Sequence, residues 1–210
     1  MVPKLLSIIV PCYNISEEDA LIAIANMRSY FENQMVDFEI IISQNGNQNK
    51  FKFRENKTKL VFTKKKGLGI AIKNGLLAAK GEYFYFLPPD IPFGYTDYVE
   101  MYPLREKYDL IVGSKLYPKS IYKTIFIRKI LSSIQRVFTI ILLRNFPVKD
   151  PNGTLFGKTS KFIKLLPNIE SDDFFFSTEL IYLALKDGYQ LTEVPVTYIK
   201  KRQKIDGEIQ

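Results

Sequence analysis

Asp90 stands at the end of an apolar run, Tyr83-Phe84-Tyr85-Phe86-Leu87, with Pro88 and Pro89 between. The two prolines stiffen the backbone that presents the carboxylate. Magnesium takes one or two protein carboxylates and fills its shell with phosphate oxygens and water, so a solitary Asp in such a place can hold it. A turn-stabilising aspartate explains the position equally well. A second candidate is the segment Gly67-Leu68-Gly69 through Lys73-Asn74-Gly75, between a strand-like and a helix-like stretch, where backbone N–H groups can face a phosphate. Glycines that merely let a helix pack closely on a strand account for it better. The third candidate is a stripe. At about 100° per residue, Arg128, Ser132, Gln135, Arg136 and Thr139 share one helical face, opposite an apolar face that includes Phe126, Ile130, Ile134 and Phe138. The polar stripe suits an anion and the apolar face suits the domain or a bilayer interface; an ordinary amphipathic helix with a solvated basic face is the alternative.

Much other chemistry is excluded. The chain has no histidine, which removes His-assisted nucleophiles and His-containing zinc sites. One cysteine, Cys12, cannot make an internal disulfide, and a reducing, cytoplasmic setting is expected. The formal net charge is +8, and its distribution is uneven. Leu110 to Lys149 contains no acid but holds Lys115, Lys119, Lys123, Arg128, Lys129, Arg136, Arg144 and Lys149. That implies an anionic partner: a phosphate, a phospholipid surface or a nucleic acid. No nucleic-acid motif is present and the aromatics fall mostly within apolar runs, so nucleic acid ranks last. Lys64-Lys65-Lys66, with Lys57 and Lys59, reads as a solvated loop.

These residues need a scaffold. The 210 residues are 46% hydrophobic and 25% charged, as expected of one globular domain spanning 1–210. Strand-length apolar runs at Leu6–Val10, Phe38–Ile42, Lys59–Phe62, Tyr83–Leu87 and Leu110–Val112 alternate with helical patterns at Glu17–Phe31, Gly69–Ala79 and Tyr95–Lys107. That is an α/β protein with a mostly parallel sheet. Beyond a turn at Asp150–Gly153, helices at Thr159–Leu165 and Ser177–Asp187 and a strand at Gln190–Ile199 are expected, followed by a polar tail. A basic amphipathic helix is expected near 119–144. It is too rich in charge to span a bilayer, which needs about 20 predominantly apolar residues, and the N-terminal apolar run is too short for a signal peptide. Ligands of such sheets bind at the carboxyl ends of the strands.

In order and spacing these segments resemble the family 2 glycosyltransferases of GT-A fold, and within them the polyprenol (dolichyl) phosphate mannose or glucose synthases. The resemblance is carried by Ser7-Ile8-Ile9-Val10-Pro11-Cys12-Tyr13-Asn14, Phe38–Ile42 with Asn45-Gly46, the Gly67–Gly75 stretch, Ala79–Tyr83, Gly113-Ser114-Lys115, Asp150–Phe156, Thr178-Glu179-Leu180 and Glu193–Val196. It implies that Pro11, Tyr13, Asn14, Gln44, Asn45, Gly67, Lys73 and Asp150 line the nucleotide-sugar site and that Asp90 meets a Mg2+ or Mn2+ ion and the diphosphate. Lys115, Arg128 and Ser132 would hold the acceptor phosphate, Asp150 and Glu179 would line the sugar or acceptor pocket, and Arg202 would close over the phosphates, with Asp90, Arg128, Arg202 and Glu179 as the catalytic groups.

The activity so implied is inverting transfer of a hexose from a GDP- or UDP-sugar to a polyprenyl phosphate at the cytoplasmic membrane face. The protein would be held there peripherally, with room for a membrane-spanning partner. Three departures from the family stand out: Pro88-Pro89-Asp90 replaces its Asp-x-Asp, Gln44 or Asn45 replaces the acid that reads the base, and Lys115 replaces an arginine, losing bidentate geometry. A non-catalytic nucleotide-binding domain, or transfer to a glycan hydroxyl, are the alternatives.

Overall fold

A computed structural model describes residues 5–13, 15–46, 50–121 and 146–198. Seven strands form one sheet in the order β3-β2-β1-β4-β6-β5-β7. They are β1 (Leu6–Tyr13), β2 (Phe38–Asn45), β3 (Thr58–Thr63), β4 (Tyr83–Phe86), β5 (Leu110–Ser114), β6 (Thr154–Lys158) and β7 (Leu191–Pro195). All pairings are parallel except those of β6, which runs against both β4 and β5. The helices are α1 (Glu17–Glu32), α2 (Leu68–Ala78), α3 (Thr96–Met101), α4 (Thr159–Leu165) and α5 (Phe176–Lys186).

The near-continuous apolar character of β1 follows from burial on both faces. Ile8 and Val10 join one core with Ile24, Met27 and Phe31 of α1 and Tyr98 of α3. Ile9, between them, points into the other with Ile72 and Leu76 of α2, Phe162 of α4 and Leu180 of α5. Helix α1 starts where Ser16 Oγ accepts the Asp19 N–H at 3.0 Å, and Glu17, Glu18 and Asp19 occupy its positive first turn.

The structure differs from the sequence expectations in four places. β1 continues through Pro11, expected to end it. Ile9 accepts the N–H of Leu87 on the β4 side, and Pro11 has the same parity, at a point where β4 has already stopped. Its missing N–H therefore lacks a partner only where none is offered. The helix expected over Tyr95–Lys107 is α-helical only to Met101 and then a 3-10 turn, Tyr102–Leu104, because Pro103 cannot continue the α pattern. β6 was not expected at all: it is five residues long, with Gly157 in its interior. A side chain at Gly157 would sit 2.8 Å from the Asp109 carbonyl oxygen, so the glycine marks close backbone approach between β5 and β6. β7 ends at Pro195 rather than 199, after which Thr197 makes a single bridge to Ile121.

Candidate functional site

The chain leaves β1 toward β2 on one side and places β4 on the other. Such a reversal opens a crevice at the carboxyl ends of the strands. Tyr13 closes β1, and Asp90 follows β4 by four residues. The second half of the sheet reaches the same edge by a different route. Because β6 is antiparallel, its first residue, Thr154, sits opposite Gly113 near the end of β5, and this carries the Asp150–Gly153 turn up beside Lys115.

On the β1–β2 side, Tyr13 is 55% exposed, an aromatic ring left in solvent beside the crevice. The ring rests on the backbone of Gly46, whose φ is +102°; a Cβ there would come 2.9 Å from it. Pro11 is buried. Gln44 and Asn45 are fully buried and their side chains hold loops. Gln44 Oε1 accepts the Phe51 N–H at 2.9 Å, in a segment that Glu17 Oε1 also fixes through the N–H groups of Lys52 and Phe53. Asn45 Nδ2 donates to the Gly67 carbonyl at 2.6 Å, while its Oδ1 is buried without a hydrogen-bond partner among the described residues.

Gly67 is held by contact. Its φ is +137°, and a Cβ would lie 2.0 Å from the carbonyl oxygen of Asp172. The same oxygen accepts the Ile70 N–H at 3.2 Å, and Lys65 pairs with the Asp172 carboxylate. The start of α2 is thereby clamped to the segment preceding α5. Glu179, on α5, fastens that segment: its two carboxylate oxygens accept the N–H groups of Glu170 and Ser171 at 3.0 and 2.9 Å. Desolvation pushes the Glu179 carboxyl up, but these donors and the Lys73 ammonium on α2 outweigh it and leave it below its ordinary value. It is a fixed anion rather than a proton acceptor.

Asp90 is exposed. The turn behind it is closed by the Ile91 N–H to the Pro88 carbonyl at 3.0 Å and places Ile91 at φ 45°. A β-branched residue in the left-handed region costs on the order of 1–3 kcal/mol, strain stored directly beneath the carboxylate. No group of three His, Cys, Asp or Glu able to hold a metal occurs among the described residues. A lone exposed carboxylate is chemically able to take part in holding a cation that brings its own phosphate oxygens and water.

Across the crevice, Asp150 Oδ2 accepts the Lys115 N–H at 2.9 Å and lies 3.6 Å from its ammonium. Glu193 Oε1 shapes the same turn by accepting the N–H groups of Lys149 and Asp150. Below it Asp97, fully buried, takes the hydroxyls of Tyr85 and Thr154 on Oδ2 and so joins α3, β4 and β6. Burial raises its carboxyl above the ordinary value, against the lowering effect of those two hydroxyls. Cys12 is inert: burial pushes its thiol up to about 12.

The structure thus brings Tyr13, Asn45, Gly67, Asp90, Lys115 and Asp150 to one edge. Asn14, Arg128, Ser132, Arg202 and the helix expected near 119–144 lie outside the described residues, apart from 119–121. Sequence reasoning missed Asp97 and Glu17, and named Glu193 only within a segment that carries the resemblance, without a role. Asp97 had a cue, a lone carboxylate within Tyr95-Thr96-Asp97-Tyr98; the roles of the two glutamates had none, because their partners are distant backbone N–H groups.

Residues 7–114 match the family model described as Glycosyl transferase family 2. The dolichyl-phosphate beta-glucosyltransferase of Saccharomyces cerevisiae is 20% identical, over 96% of this chain and 68% of that protein. Among solved structures, glucosyl-3-phosphoglycerate synthase from Mycobacterium tuberculosis with Mn2+, UDP-glucose and phosphoglyceric acid superposes with a TM-score of 0.66 at 16% identity, covering 97% of this chain and 74% of that one. Mannosyl-3-phosphoglycerate synthase from Rubrobacter xylanophilus gives 0.59 at 12% identity, with 97% and 69% covered. The shared architecture is the GT-A fold.

Proposed function

The chain belongs to glycosyl transferase family 2, and on that premise we propose that it moves a hexose from a nucleoside-diphosphate sugar to a polyprenyl phosphate, with inversion at the anomeric carbon. The observation that carries this reading is the state of the acids flanking the crevice. Asp150 and Glu179 are both engaged by backbone N–H groups, and Glu179 is held below its ordinary pKa. A hydroxyl acceptor needs a general base. A phosphate monoester is already ionised near pH 7 and needs none. In the reaction a phosphate oxygen forms the new bond to the anomeric carbon, and the bond to the nucleoside diphosphate breaks with its electron pair leaving on the diphosphate. No proton has to move.

Tyr13 would present its ring to the base, with Pro11 and the Asn45–Gly67 loop behind it. Gln44 would act from beneath by fixing the neighbouring loop, and Lys73 by supporting Glu179. Asp90 would hold a divalent cation, which would supply charge neutralisation for the departing diphosphate. Lys115, positioned by Asp150, would hold the acceptor phosphate together with Arg128 and Ser132, and Arg202 and Asn14 would complete the donor side. The relatives support the class of each substrate: the yeast protein is named for dolichyl phosphate, and the mycobacterial structure contains UDP-glucose and Mn2+. No helix among the described residues is long and apolar enough to cross a membrane, and the reading places the protein peripherally at the cytoplasmic membrane face.

The test is organic-solvent extraction after incubation with polyprenyl phosphate, Mg2+ or Mn2+, and labelled GDP-mannose, UDP-glucose and UDP-N-acetylglucosamine in parallel. Label should enter the lipid phase with one donor, and Asp90→Asn should reduce its rate by about 100-fold or more, the scale of losing one charge-stabilising group. A second reading, nucleotide binding without transfer, rests on the single carboxylate of Pro88-Pro89-Asp90. It takes first place when nucleotide binds and no donor labels lipid.

A further inference from the structure

Phe174 and Phe175 are 67% and 50% exposed, side by side, while Phe176 is fully buried. Two neighbouring phenyl rings in water are unfavourable, and here nothing lets them fold away. The Phe175 N–H is held by Asp173 Oδ1 at 2.9 Å, Asp172 is clamped by Lys65 and Ile70, and Glu179 ties the chain just before. The backbone that carries the rings is thus fixed beside the start of α2, at the edge of the sheet where Asp90 and Tyr13 lie. Of the segment's three acids, Asp172 is in the ion pair and Asp173 accepts the Phe175 N–H, while Glu170 is exposed. In the adjoining loop Lys64 and Lys66 are exposed and make no ion pair among the described residues.

From this arrangement we infer that Phe174 and Phe175 insert into the interface of an anionic lipid bilayer, with Lys64 and Lys66 facing its headgroups, and that this contact turns the crevice toward the membrane. Two partly exposed rings of roughly 200 Å² each fall far short of the ~800 Å² per partner of a stable protein interface. They suit an aromatic wedge flanked by cations. The inference uses no residue of the basic stretch between Leu110 and Lys149 and does not depend on the acceptor assigned above.

The chain has no tryptophan, so Phe174→Trp gives a reporter with a single indole. It should shift to the blue on mixing with phosphatidylcholine–phosphatidylglycerol vesicles free of polyprenyl phosphate, and be quenched by brominated lipid. The same reporter at the exposed Ile22 of α1 should do neither. Lys64→Gln should weaken vesicle binding about fivefold, the worth of one lysine near an anionic surface. Phe175→Trp repeats the measurement if the first variant is poorly folded. Vesicle binding without a change at either ring, no vesicle binding, or a lipid-free dimer that shifts the reporter by itself would each overturn the inference. No sugar transfer is measured, so its failure is distinct from failure of the proposed reaction.

Discussion

Replacing Gly67 by alanine tests the clamp between the start of α2 and the segment before α5. The backbone there, at φ 137° and ψ 137°, is open essentially to glycine alone, and forcing a side chain into such a region costs on the order of 1–3 kcal/mol. The added Cβ would also lie 2.0 Å from the Asp172 carbonyl oxygen, a backbone atom that cannot turn aside as a side-chain tip would. Relief requires the two segments to separate, with loss of the Ile70–Asp172 hydrogen bond, about 1 kcal/mol more. The total is about 3 kcal/mol, which for a domain of this size lowers Tm by roughly 6–12 °C. Gly188 is the internal control: its φ is +75°, but a Cβ there meets nothing within 4 Å, so Gly188→Ala carries only the left-handed penalty of about 1–2 kcal/mol. Urea and thermal unfolding of the two variants in parallel, without ligand, measure the difference. If Gly67→Ala is no more destabilising than Gly188→Ala, the contact with Asp172 does not constrain this loop.

Two further outcomes are expected. Asp97 is a carboxyl whose folded pKa is raised by burial, so the folded state resists its ionisation; wild-type stability should fall as pH rises from the ordinary carboxylate range through the raised value. Asp97→Asn removes that slope whatever constant offset it adds, and unfolding curves across pH that run parallel for the two proteins would refute the assignment. Tyr13→Ala should weaken nucleotide binding by about 1–3 kcal/mol if the ring stacks on the base, the range for base–aromatic stacking, whereas Tyr13→Phe should bind as wild type; calorimetric titration with UDP and GDP distinguishes the two, and equal losses would point to the hydroxyl instead.

The local pattern of the sequence was sufficient wherever an element is defined by its own residues. The apolar runs that became β1, β2, β4 and β5 were readable because each is buried on both faces, and the carboxyl edge followed from their alternation with helices. The position of Asp90 just beyond β4 was readable too, since two prolines and a preceding strand are local facts. The ordered set of short segments was enough to resemble the family.

Only the fold decided what the polar residues hold. Gln44 and Glu179, candidate ligand contacts by resemblance, spend their carboxamide and carboxylate oxygens on backbone N–H groups of neighbouring loops. Gly67 is required by Asp172, which is remote in the chain. β6 offers only Leu155 and Phe156 as an apolar run between Thr154 and Gly157 and so did not show itself, yet it brings Asp150 to Lys115. Hydrophobic burial is dictated by a residue's own periodicity, whereas a hydrogen bond or a close backbone approach is dictated by its partner, and chain folding alone chooses the partner.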